Sequence, residues 1–315
     1  MKVRLPLTLL SLAIVAPAQA AFIYGIDDDN IIHEANPVPG QQSFQPAFNT
    51  GIVTATQGFS NAFAFDRNRD QMLFLNRGVP NGSAPAIQEN NLWMWNKATD
   101  TISQIATGAT IGTAGQSTPA NAAYYNNAFW FFDEGTYNLN RITLDYTNPS
   151  APVFSARDSF AVTPAPGAPS GNAFGDIAID ADTGLLYGYT SAGAGGIFYS
   201  LDLSTISGAT IGGYNQIKGG STVGGSTVGL QISFDELYDK LYGHDYNTGK
   251  WFEISTSTGN LTDLGFTTVL ANGFGFRDIG GASGLSAVPE PGSSMIFTML
   301  AMGGTAIVNR RRRRA

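Results

Sequence analysis

Ala62-Phe63-Ala64-Phe65-Asp66, Asp176-Ile177-Ala178-Ile179-Asp180 and Leu230-Gln231-Ile232-Ser233-Phe234-Asp235 are three copies of one phrase. Each is an apolar run that stops at an aspartate. Each leads through a short turn (67–70, 181–184, 236–239) into a second run: Met72-Leu73-Phe74-Leu75, Leu185-Leu186-Tyr187-Gly188 and Lys240-Leu241-Tyr242-Gly243. Short β-branched and aromatic runs bounded by Asx and Gly turns read as β-hairpins. A third run follows each time, at Leu92–Trp95, Ile197–Asp202 and Trp251–Ile254. A further turn, such as Lys97–Asp100 or Ser257–Asn260, leads to a weaker fourth strand. A degenerate copy lies between Asn121 and Phe160, where Asn126-Asn127 takes the place of the aspartate turn.

Repeated four-stranded units of this length are the signature of propeller blades. Four span about 58–108, 119–163, 172–217 and 228–270, and the chain ends supply a fifth. Asn272–Ile279 reads as an innermost strand without partners, and Ala21–Ile26 with Ile31–Glu34 as partners without an innermost strand. Joining them closes the ring and hides its sheet edges. The expected fold is therefore all-β, a five-bladed β-propeller closed by its N- and C-terminal strands; the alternative is a β-sandwich. The Gly-Ser-Thr-Val duplication at 219–229 and the Pro-rich 164–170 read as linkers.

The chain has no cysteine, so the fold rests on packing and hydrogen bonds. Its net charge is −7, and residues 21–287 alone carry 10 basic against 23 acidic side chains. That balance argues against nucleic acid as a partner.

Catalytic parts are few. There is no Gly-x-Ser-x-Gly elbow, and His33 and His244 are the only histidines. Gly249-Lys250 lacks the spacing and the Ser/Thr of a phosphate-binding loop. Asp27-Asp28-Asp29-Asn30 is oxygen-rich, with Asp27 and Asp29 as candidate Ca²⁺ ligands, but no Gly or distal Glu completes a loop. A solvated hairpin turn is the other reading. Asp66, Asp180 and Asp235 read as turn caps, or as channel carboxylates for a cation. Trp93 and Trp95 share a strand face, as a buried pair or a glycan platform.

Both ends of the chain concern location. Lys2 and Arg4, the apolar run Leu5–Val15 and Ala18-Gln19-Ala20 form a signal peptide (1–20), with cleavage by signal peptidase after Ala20. A domain at 21–284 is followed by a linker at 285–292 holding Val288-Pro289-Glu290-Pro291. An apolar segment (293–309) and a basic tail (310–315) with Arg310, Arg311, Arg312, Arg313 and Arg314 come last. The apolar segment is expected to be a transmembrane helix, short for a core about 30 Å thick; the arginines stay cytoplasmic. This order resembles the PEP-CTERM sorting signal of Gram-negative bacteria. The resemblance covers Val288 to Ala315 only. It implies recognition by the membrane enzyme exosortase, an inner-membrane intermediate, cleavage near the motif and transfer to the cell surface or medium, often alongside exopolysaccharide and biofilm formation. A plain membrane anchor is the alternative. The reading is a non-enzymatic, surface-sorted propeller that binds or scaffolds. Its rivals are a propeller enzyme acting on glycans or lactones through a carboxylate and metal site, and a lectin-like module.

Overall fold

The computed structural model describes residues 21–79, 88–115, 119, 121–132, 138–163, 176–190, 197–218, 230–271 and 273–284. The leader with Ala18 and Ala20, the linkers at 164–170 and 219–229, the sorting motif, the apolar segment 293–309 and the arginine tail lie outside the described residues. Among the described residues no helix is long and apolar enough to cross a membrane.

In chain order the strands are β1 (Ala21–Ile26), β2 (Ile31–Asn36) and β3 (Ser43–Asn49), then β4 (Ser60–Asp66), β5 (Gln71–Asn76), β6 (Asn91–Asn96) and β7 (Thr101–Ala106). Next come β8 (Ala123–Tyr125), β9 (Ala128–Phe132), β10 (Asn138–Asp145) and β11 (Val153–Val162). They are followed by β12 (Asp176–Asp180), β13 (Leu185–Thr190), β14 (Ile197–Asp202), β15 (Ile206–Ser207), β16 (Thr210–Ile211) and β17 (Asn215–Lys218). The last are β18 (Leu230–Asp235), β19 (Lys240–Asp245), β20 (Lys250–Ile254), β21 (Leu261–Thr267) and β22 (Asp278–Gly284).

These strands form five antiparallel meanders: β4–β7, β8–β11, β12–β13–β14–β17, β18–β21 and β22–β1–β2–β3. We number them blades 1 to 5. Their innermost strands touch in a ring, β4 against β8, β8 against β12, β12 against β18, β18 against β22 and β22 against β4. The molecule is a five-bladed β-propeller. The β-sandwich alternative fails on this closed order. Blade 5 is assembled from both ends, with Ala21 opposite Gly284 and Ile26 opposite Asp278. Its innermost strand starts at Asp278, six residues after the Asn272 read from sequence. The Gly-Phe pairs before it look like strand but serve as a connection: Phe276 enters the core and Phe274 stays exposed.

The core lies between blades, as five apolar clusters, one per interface. The innermost strands alternate large and small residues, and the pleat sends these to opposite neighbours. Phe63 and Phe65 pack on blade 5 while Ala62 and Ala64 face blade 2. Ile177 and Ile179 face blade 2, whereas Ala178 faces blade 4. Tapering wedges need this asymmetry near the axis. Burying each large aromatic contributes about 1.5–3 kcal/mol, which offsets the ordering entropy without any disulfide. Outer strands such as β7 and β21 are largely exposed, so their apolar pattern is diluted.

Candidate functional site

The ring encloses a channel with a cavity of about 100 Å³, lined by Ala64, Ala122, Ile177, Ala178, Ile232, Ser233, Gly280 and Gly281. One end is the mouth, where the innermost strands run into their aspartate turns. The other is the floor, where those strands begin.

At the mouth the repeated aspartates are bound into their own turns. Asp66 Oδ1 accepts the Asn68 N–H at 3.0 Å and Oδ2 takes Arg69 at 2.8 Å. Asp180 Oδ1 accepts from Asp182 N and Thr183 N, and Oδ2 from the Thr183 hydroxyl at 2.6 Å. Asp235 Oδ1 accepts from Leu237 N and Tyr238 N. Its Oδ2 is buried and makes no hydrogen bond among the described residues, because Tyr238 stands where Thr183 stands in blade 3. Burial raises the Asp235 pKa. Across the mouth Glu236 Oε1 accepts the Ala181 N–H of blade 3 at 2.8 Å, and Oε2 lies 3.8 Å from Arg67 of blade 1. Burial raises the Glu236 pKa as well. Blade 2, with its Asn126-Asn127 turn, brings no carboxylate here. Both asparagines have positive φ (51° and 59°), which suits Asn in a tight hairpin.

At the floor, Asp176 of blade 3 and Asp278 of blade 5 are both buried, and their strands β12 and β22 approach each other across the axis. Sequence reading passed over both as ordinary strand residues. A signal was present: each is an aspartate before isoleucine at the start of an innermost strand, where no turn needs a carboxylate. Asp176 Oδ1 accepts its neighbour Ile177 N at 2.8 Å, and Oδ2 accepts Ile232 N of blade 4 at 2.5 Å. Asp278 Oδ1 accepts Ile279 N and Oδ2 accepts Phe63 N of blade 1, both at 2.8 Å. Ala62 sits at φ 53° in a bulge of β4, just before the Phe63 N–H that the carboxylate accepts.

The acidic cluster of the sequence lies away from the channel mouth, in the β1–β2 turn. Asp27 is buried: Oδ1 accepts from Asp29 N and Ile31 N, and Oδ2 meets His33 Nε2 at 2.8 Å. Asp29 is exposed. Asp28 pairs with Arg277 and accepts from the Tyr246 hydroxyl at 3.1 Å. Among the described residues no three His, Cys, Asp or Glu side chains converge for a metal ion. Arg277 lies 3.6 Å over the Phe59 ring, and Tyr246 stacks on Phe274 at 5.2 Å, so a cation–aromatic column crosses blades 4, 5 and 1 at the seam.

The remaining candidates are core. His244 is fully buried against Trp251 and Phe276, with Nε2 3.1 Å from Thr268 Oγ1, and burial pushes its pKa down to about 3. Trp95 is buried and stacks on Phe48 at 4.7 Å, with Trp93 half-buried in the same cluster. Trp130 and Trp251 are likewise buried, so none of the four tryptophans forms an exposed platform.

Fold and channel define a five-bladed propeller with a small axial cavity. No protein family matches the chain, and no curated protein does. Among solved structures it is similar to a nidogen/laminin complex, at 9% identity over 84% of this chain and 97% of that one, TM-score 0.49. It is similar also to virginiamycin B lyase from Staphylococcus aureus, at 13% identity, 81% and 72% coverage and TM-score 0.39. A third is an auxiliary nutrient binding protein from Bacteroides thetaiotaomicron, at 11% identity, 82% and 58% coverage and TM-score 0.44. These likenesses carry no argument about activity, and the blade count rests on the strand pairing.

Proposed function

We propose that this chain is an exported, exosortase-sorted propeller that acts by binding or scaffolding at the cell surface or in the extracellular matrix. The observation that carries the reading is the order of Pro289-Glu290-Pro291, apolar segment and Arg310–Arg314 behind an N-terminal leader. The engagement of the turn carboxylates supports a binding role over a catalytic one. Asp27, Asp66 and Asp180 have both oxygens committed to hydrogen bonds or ion pairs within the fold. The enzymatic rival draws on Glu236 and Asp235, the two mouth carboxyls raised by burial. A lectin-like role gains nothing from Tyr246 and Phe274, which stack on each other instead of lying side by side.

The test is intact mass and cell fractionation in the native host, with Pro289→Ala and Pro291→Ala combined in a parallel strain. Loss of both termini in the wild type, with the variant held in the membrane, is the expected result. An unprocessed C-terminus in both strains reduces the tail to an anchor and removes the surface role.

A further inference from the structure

Two carboxyl groups meet inside the ring, and their contacts run between blades. Asp176 ties blade 3 to blade 4 through Ile232 N, and Asp278 ties blade 5 to blade 1 through Phe63 N. Each also holds the N–H of the residue after it. Strands β12 and β22 also meet across the axis, so each buried carboxyl lies in the field of the other. Two carboxylates offer only acceptors and repel each other, whereas one proton gives the pair a donor. Burial forbids a second charge at the same place.

We propose that Asp176 and Asp278 form a proton-dependent clasp that holds the ring closed at the β22 seam and loosens as pH rises. With one proton the pair is a monoanion whose oxygens are satisfied by backbone N–H groups of blades 3, 4, 5 and 1. Loss of that proton sets two carboxylates against each other at the first residue of β22, the strand that closes the ring. Burial and the partner's charge raise the pKa of Asp176, and burial raises that of Asp278. Among the described residues around the pair, none offers a ready countercharge. Asn61 in β4 and Gln231 in β18 are uncharged, Tyr199 in β14 is a phenol raised by its own burial, and Arg277 is engaged with Asp28. Both carboxyls are buried, at 2% and 0% exposure, so the pair is read as a structural device and not as a catalytic dyad.

The sign follows from proton counting. An unfolded aspartate is ionised above about pH 4. The folded pair keeps a proton there, so folding takes one up and stability falls as pH rises from about 4 through the raised pKa.

The test uses the full chain, its Asp176→Asn variant and its Asp278→Asn variant. Asparagine at 176 supplies a permanent donor to Asp278 in place of the shared proton. Infrared spectra at pH 7 are expected to show a protonated-carboxyl C=O band in the wild type that is missing from both variants. Thermal melts from pH 5 to pH 10 are expected to show an alkaline fall in Tm that Asp176→Asn abolishes. A spectrum without the band at pH 7, or an Asp176→Asn variant with the full alkaline fall, overturns the proposal. If Asp278→Asn fails to fold, the wild type and Asp176→Asn alone decide it.

Discussion

At the level of single residues, the aspartate that ends each innermost strand does local work. Asp180 accepts two backbone N–H groups and a hydroxyl, the bonds that close the β12–β13 turn. Asp180→Ala leaves those donors without their acceptor, and we expect a loss of about 1–3 kcal/mol in denaturant unfolding. Gly25 is set by contact. A Cβ there would lie 2.5 Å from the buried Phe276 ring, so Gly25→Ala is expected to destabilise by about 1–3 kcal/mol or to displace the ring. His244 governs the acid side. Its pKa is about 3 in the fold, against 6.5 when exposed, so the unfolded chain binds the proton and the folded chain does not. Its share of stability is complete above about pH 6.5 and falls with pH towards about 3, by at most about 1.4 kcal/mol per unit. His244→Phe should flatten that acid limb in melts between pH 3 and 7, while the alkaline limb remains.

Strands that look alike in sequence carry different loads. The outer strand of blade 2, β11, is covered by a hairpin from blade 3. In that hairpin β15 and β16 pair with each other, and β16 runs parallel to β11, which extends blade 2 to six strands. Ala161 N donates to Ala209 O and Thr163 N to Ile211 O. This covers an edge that would otherwise template pairing with another chain. Ile211 is wholly buried in the blade 2–blade 3 cluster. Ile211→Asp is expected to release the hairpin, and amide exchange should then rise across Val153–Val162 while β18–β20 keep their protection. The hairpin was illegible in sequence because two-residue strands carry no period. Innermost strands were legible because both faces are buried and their apolar runs are undiluted.

For the whole molecule, stability depends on two ends that meet. β1 takes β22 along its full length, which closes the ring without a disulfide. A chain ending at Arg277 leaves β1 as an open edge and strips Asp278 from the floor. It should lose cooperative unfolding and associate in size-exclusion chromatography, whereas a chain ending at Gly284 should remain cooperative. The sequence by itself determined the strand-turn-strand repeat, the aspartate caps and the joining of both ends, since these follow from local periodicity and turn chemistry. The leader and the C-terminal sorting signal are proposed from linear sequence alone and lie outside the described residues. Tertiary structure alone decided where β22 begins, which aromatics are exposed and what covers the β11 edge. It alone brought Asp176 and Asp278 to one floor of the ring, 102 residues apart in the chain. Such a meeting depends on which strand starts face the same axis, and no local pattern encodes that distance.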